Sequence, residues 1–281
     1  MYIKRFPFCV MKTKNFISLM SLTIGVFVSV IAITACGSSD DDSIGGNGSD
    51  KQSPKHISLI IEEEGNSIYE STLSYDSQGR VVKVVGTESS VGTNSRSEKT
   101  YQYGETIIVT KEVEEGTWSN GQSFTYTESH SYQLENGRII KDEERQGSSS
   151  MTATYNYNAD GYLTSIDESG SNNSNNTEIV TWKNGNISSM GSYTYTYSNI
   201  PWAKGFPFYL KGSNLDGYLF SMGYYGNLPK NLPSSISDGW TFDYTVQDGY
   251  VTKAITTPAI EDNKHHKLTT TFIWEKNLRI K

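Results

Sequence analysis

The segment Tyr157-Asn158-Ala159-Asp160-Gly161-Tyr162-Leu163 decides how this chain reads. An aromatic residue is followed by polar positions, a glycine, a variable residue and an aliphatic. The stretch Thr154-Tyr155-Asn156-Tyr157 leads into it with a ring at every second place. Asn-Gly and Asp-Gly pairs accept the positive φ that primed two-residue hairpin turns require, so the unit predicts strand, tight turn, strand.

The unit recurs as Tyr75-Asp76-Ser77-Gln78-Gly79-Arg80-Val81, as Tyr132-Gln133-Leu134-Glu135-Asn136-Gly137-Arg138-Ile139, as Trp182-Lys183-Asn184-Gly185-Asn186-Ile187 and as Tyr244-Thr245-Val246-Gln247-Asp248-Gly249-Tyr250-Val251. Gly137, Gly161 and Gly185 stand 24 residues apart. Period-two alternation is equally plain in Tyr193-Thr194-Tyr195-Thr196-Tyr197 and in Trp240-Thr241-Phe242-Asp243-Tyr244-Thr245-Val246. One face of each strand is apolar and the other wet. Gly104, with Tyr101 and Tyr103 before it and Ile107 and Val109 after, is a degenerate copy. The expected fold is all-β: a long antiparallel meander of about fourteen strands, curved or closed into a barrel.

Outside the meander lie two other textures. Residues 1–35 carry Lys12 and Lys14 after the second of two candidate starts, Met1 and Met11, and then an apolar run from Phe16 to Ala35. That is the order of an export signal. It ends in Ile33-Thr34-Ala35-Cys36, which resembles a lipobox, with Cys36 as the residue that takes diacylglycerol and palmitate. A transmembrane anchor would be followed by basic residues, whereas Gly37-Ser38-Ser39-Asp40-Asp41-Asp42 is acidic. Residues 36–55 are Gly, Ser, Asp and Asn with few apolar groups, a composition expected of a flexible tether. Residues 56–281 form the single β-repeat domain, interrupted at 199–235 by an aromatic, proline-bearing insert. Within the insert Ser213-Asn214-Leu215-Asp216-Gly217-Tyr218-Leu219-Phe220 predicts one short helix or plug near 213–222.

The YD-like units look like the YD repeats of large bacterial shell proteins. Together with the lipobox and Tyr224-Tyr225-Gly226-Asn227-Leu228-Pro229-Lys230-Asn231-Leu232-Pro233-Ser234-Ser235-Ile236, they resemble a Bacteroidetes lipoprotein family of unknown function with a porin-like fold. The resemblance runs from about Ile57 to Trp274 and is structural, with no catalytic residues to carry over. It implies a curved or barrel-like sheet. The copy between Gly79 and Gly137 departs from the pattern, so strand register is least defined there. Strands such as Thr110-Lys111-Glu112-Val113-Glu114-Glu115 and Ile140-Lys141-Asp142-Glu143-Glu144-Arg145 are too charged to face lipid.

Charge and cysteine content narrow the function. The whole chain has net charge −7, and losing residues 1–35 removes Lys4, Arg5, Lys12 and Lys14, leaving 20 basic against 31 acidic residues, or −11. Nucleic acid is excluded as a partner on that balance. Cys9 lies in the signal, so Cys36 is the one cysteine left and no disulfide framework forms. The four histidines, His56, His130, His265 and His266, lack the spacing of a zinc site, and no metal or cofactor is expected. Three acidic runs, Glu62-Glu63-Glu64, Glu112 to Glu115 and Asp142-Glu143-Glu144, are the raw material of a carboxylate-dependent hydrolase; solvent-facing strand ends are the simpler expectation. Trp202, Phe206, Phe208, Tyr209, Tyr218, Phe220, Tyr224 and Tyr225 are either the apolar filling of the sheet or the walls of a glycan or lipid site. The reading is of a monomeric outer-membrane or cell-surface lipoprotein. It is held to the membrane by the lipid on Cys36 and binds a glycan, lipid or envelope protein without catalysis; a structural envelope lipoprotein is the alternative.

Overall fold

The computed structural model describes residues 55–90, 93–170, 175–203, 205–207, 215–259 and 266–276. The proposed signal, Cys36 and the tether up to residue 54 lie outside the described residues, while Lys55, the last residue expected in the tether, already begins β1. From β1 (Lys55–Glu64) and β2 (Ser67–Tyr75) the chain runs through β3 (Val81–Ser90), β4 (Thr93–Tyr103), β5 (Ile107–Trp118), β6 (Ser123–Glu135) and β7 (Arg138–Gln146). It continues as β8 (Ser149–Tyr157), β9 (Leu163–Gly170), β10 (Asn175–Lys183), β11 (Asn186–Met190) and β12 (Tyr193–Pro201). After a plug containing α1 (Gly217–Ser221) come β13 (Asn231–Ile236), β14 (Thr241–Gln247), β15 (Tyr250–Thr257) and β16 (Leu268–Lys276). Every strand pairs antiparallel with its sequence neighbours, and β16 pairs with β1, so the meander closes as a barrel of sixteen strands rather than about fourteen.

The repeat has a physical explanation that its letters do not show. In seven places a β-bulge puts one extra residue on an odd-numbered strand directly after the unit's aliphatic position or its equivalent: Ser58, Val82, Ile140, Thr164, Ser188, Ser234 and Thr252. A bulge takes a carbonyl out of the ladder, and a buried carbonyl left unpaired costs about 1–3 kcal/mol. Each of these carbonyls is capped by a ring tip from the next strand along. Tyr75 donates to Ile57, Tyr103 to Val81, Tyr157 to Ile139, Trp182 to Leu163, Tyr197 to Ile187, Tyr244 to Pro233 and Trp274 to Val251, at 2.6 to 2.9 Å. The ring body meanwhile joins the core. The aromatic and the aliphatic of the unit are thus partners between neighbouring strands. The eighth odd strand, β5, pairs with β4 without a bulge, and β6 correspondingly places Leu134, which has no polar tip, where β2, β4, β8, β10, β12 and β16 place Tyr or Trp. That is why the copy at Gly104 is degenerate.

The turns are of two kinds. Asn136-Gly137, Asn184-Gly185 and Asp248-Gly249 have positive φ at both positions, the expected primed turns. The units at Gly79 and Gly161 depart from that expectation, with positive φ at the glycine alone. There the loop is longer and organised by a side chain: Asp76 Oδ1 accepts from the backbone of Gln78 and Arg80, and Asn158 Oδ1 from that of Asp160 and Tyr162.

β12 extends through Pro201 and β13 starts at Asn231, so the plug proper is 202–230, shorter than the 199–235 interruption read from composition. It enters at the end where these turns lie, and backbone bonds stitch it there: Ile139 N–H to Tyr224 O, Asn227 N–H to Gly161 O and Lys230 N–H to Gly185 O. This plugged end is also where β1 begins. Toward the opposite, acidic end the inward positions change from rings and aliphatics to Lys99, Glu112, Glu114, Glu128, Asp142 and Glu144. The acidic runs are therefore not solvent-facing strand ends. Their residues alternate: Glu62 and Asp142 are buried, while Glu63 and Glu115 are exposed. Outward positions are largely hydroxyl, amide or charged, among them Thr154, Asn156, Thr194, Thr196, Thr241 and Asp243, all exposed.

Candidate functional site

Period-two alternation along β6 points Phe124, Tyr126, Glu128, His130, Tyr132 and Leu134 into the barrel. The strand register sets Lys99 beside Glu112, Glu112 beside Glu128, and Tyr132 beside Asp142. Two carboxylates directly opposite one another repel unless cations lie between them. Here they do. Lys99 Nζ lies 3.9 Å from Glu112, and the His130 ring is held between Glu128 (Nε2 to Oε1, 2.7 Å) and Asp142 (Nδ1 to Oδ2, 2.8 Å).

The plug contributes Asp216, the N-cap of α1. Its Oδ1 accepts from the backbone of Tyr218 and Leu219 at 3.0 Å each, and its Oδ2 accepts from Lys99 Nζ at 2.7 Å and from the Tyr101 hydroxyl at 3.0 Å. Both Lys99 and Asp216 are buried. One carboxylate therefore caps a helix that has no acidic first turn of its own and ties it to the wall.

The charge states follow from these contacts. Burial works against protonating His130, but the hydrogen bonds it donates to Asp142 and Glu128 outweigh it and hold the imidazolium pKa up to about 9. Burial likewise opposes ionised Glu128, yet His130 and the Tyr126 hydroxyl hold it down at about 2. Burial raises Glu112, and Lys99 only partly offsets this. Asp216 is lowered despite burial, because Lys99 is against it. An imidazole kept protonated is a poor general base near neutral pH, and Lys99 is committed to Asp216. The cluster pairs its buried charges against one another. Among the described residues no group of three or more His, Cys, Asp or Glu side chains converges as a metal site.

The aromatic candidates come together in the plug. Trp202 meets Phe220 edge-on at 5.6 Å, Phe206 packs on Phe272 at 4.9 Å, and Tyr225 lies against Tyr155 at 5.1 Å. Tyr218 stands edge-on to Tyr101, and Tyr224 stacks on Tyr103. Phe206, Tyr218, Phe220 and Tyr225 are buried, and Trp202 and Tyr224 half-buried. Phe208 and Tyr209, like Ser213 and Asn214 of the expected helix start and His265, lie outside the described residues. Composition passed over Lys99, Glu128 and His130; the signal that finds them is the alternation of β6 extended through its polar half.

The family described as a domain of unknown function (DUF4595) with porin-like fold matches residues 73–253, which take in the charge cluster and the whole plug. The chain belongs to this family. For a member of DUF4595, the plug and the ring-capped bulges supply the physical content behind that description. A crystal structure of a porin-like protein from Bacteroides vulgatus is also similar, at 11% identity and a TM-score of 0.43, over 79% of this chain and 99% of that one. No curated protein matches.

Proposed function

We propose that the protein is a lipid-anchored envelope protein of the outer membrane or cell surface, attached through Cys36, that works as a non-catalytic binding module for a glycan, lipid or protein. One observation carries this reading: the barrel is blocked at one end by its own plug, which Lys99 and Asp216 fasten to the wall. A channel needs a continuous lumen, and a bilayer-spanning barrel needs an apolar outer band with aromatic girdles. This wall presents mostly Thr, Asn, Asp and Lys to its surroundings, with single exposed aliphatics such as Ile107, Ile179 and Ile273 rather than a band. The tether joins at the plugged end, leaving the acidic end to meet a partner. Because the buried cations Lys99 and His130 are both held by carboxylates, the interior favours holding over catalysis.

Two measurements test this. Mass spectrometry of the protein from its native envelope should find a diacylglyceryl group on an N-terminal Cys36; an unmodified mature N-terminus starting elsewhere refutes the anchor. Glycan, lipid and peptide arrays should give a saturable ligand; silence on all of them, alongside intact folding by circular dichroism, refutes the binding role.

A further inference from the structure

Closing a barrel removes the free edges of a sheet, but on the acidic rim closure is incomplete where one strand outruns its neighbour, and the β6 edge is one such place. β5 and β6 are long strands of 12 and 13 residues, and their pairing continues to Thr117 opposite Ser123. The neighbour on the other side, β7, ends its pairing with Gln146 opposite Glu128. Residues 123–127 of β6 therefore stand beyond β7 with no strand beside them among the described residues. The direction of their backbone groups follows from two bonds toward the β5 side, Trp118 N–H to Gln122 O and Leu134 N–H to Thr106 O. Even-numbered residues of β6 bond toward β5, so Ser123, Thr125 and Thr127 turn their N–H and C=O groups to the vacant side.

Natural sheet edges are guarded by charge, proline or a bulge. Ser123-Phe124-Thr125-Tyr126-Thr127 has none of these, and its pairing with β5 runs without a register shift. The contrast with the other overhang on this rim is informative. There Asn175 to Glu178 of β10 pass the end of β11, and that segment carries a carboxylate and two asparagines. On the β6 overhang the inner surface is aromatic: Trp118, 45% exposed, stacks on Phe124 at 4.4 Å. Phe124 lies over Gly116 so closely that a Cβ there would meet the ring at 2.5 Å. Below it the inward carboxylates Glu114, Glu128 and Glu144 outnumber the cations His130 and Lys99.

We propose that the free edge at residues 123–127 is a strand-addition site for an extended, lysine- or arginine-bearing segment of another protein. Its backbone would complete the ladder on Ser123, Thr125 and Thr127, and its inward side chains would reach the rings and the carboxylates. The inference rests on the acidic end being the binding face and names the class of partner for it.

The test uses the purified protein and a fluorescein-labelled peptide of alternating threonine and lysine, read by anisotropy. Binding is expected, and it should fall about tenfold with Thr125→Pro, which removes one donor on the vacant side, as it should when the peptide is N-methylated on the bonding face. Thr125→Val, which keeps the backbone donor, should bind as the parent does. Should Thr125→Pro fail to fold, the N-methylated peptide carries the comparison. Equal binding of the methylated peptide or of an alternating threonine–glutamate peptide overturns the proposal. So does no binding, or a self-association that Thr125→Pro abolishes, which would make the occupant a second copy. Array hits for glycans or lipids beside a silent peptide would leave the binding module standing and remove only this partner.

Discussion

The two ends of the barrel solve the same problem, how to fill a wide closed sheet, with different chemistry. Sixteen strands enclose more space than their own side chains fill. At the plugged end, rings and aliphatics from the strands and the 202–230 segment occupy it, and seven of the strand rings place a polar tip on a bulge carbonyl. At the acidic end the inner wall carries ion pairs and hydroxyls, and order depends on charge balance. The first arrangement is local and repeated, so it tolerates the loss of one copy, as β5 and β6 demonstrate. The second is a single linked cluster in which each member depends on the others.

That difference sets the expected effects. Removing one partner of the buried wall-to-plug pair should be the most damaging change, since it leaves an uncompensated charge in the interior. Lys99→Met is expected to cost about 3–5 kcal/mol in urea denaturation. Adding Asp216→Asn should recover part of that loss, because asparagine still caps α1. A Lys99→Met protein as stable as the parent would break the contrast between the ends.

Alkaline pH should come next. His130 in the folded protein titrates at about 9, above its ordinary 6.5, so its stabilisation is complete below pH 6.5 and is lost as pH rises through 9. Denaturation midpoints measured from pH 6 to 10 should fall by the equivalent of about 2 kcal/mol, and His130→Gln should flatten that slope. Glu128 works in the other direction: it is held at about 2, so its contribution is present above the ordinary carboxylate range and is lost as pH drops toward 2.

Changes at the plugged end should be smaller and alike from copy to copy. Gly137 sits at φ 75° with open space where a Cβ would go, so Gly137→Ala should cost about 1–2 kcal/mol from the backbone alone. Tyr157→Phe keeps the ring but leaves the Ile139 carbonyl bare, and about 1 kcal/mol is expected. If Tyr157→Phe proved as harmful as Lys99→Met, the girdle would be as interdependent as the charge cluster.

The legibility of the sequence divides along the same line. Hairpins, turns and the helix at Gly217 were readable because each depends on neighbours in the chain: alternation, positive-φ dipeptides and a capping aspartate are local signals. The expected strand number falls short because β12 and β13 are joined by the plug and not by a glycine-centred turn, so no unit marks that pair. The partnership of ring and aliphatic could not be read, since Tyr75 reaches Ile57 from 18 residues away. The charge cluster was hidden for a different reason. Glu112 or Asp142 on a strand looks like a wet face until closure decides which face is inside. Asp216 meets Lys99 only because the plug folds back into the barrel.

The proposed function requires a water-facing barrel stopped by its own plug, held to the membrane by lipid and not by its strands. The most direct test is to purify residues 37–281, without the signal and Cys36, in the absence of detergent and apply them to planar bilayers. The product should remain a soluble β-rich protein that produces no conductance. A protein that needs detergent to stay in solution and opens stepwise channels would contradict the account.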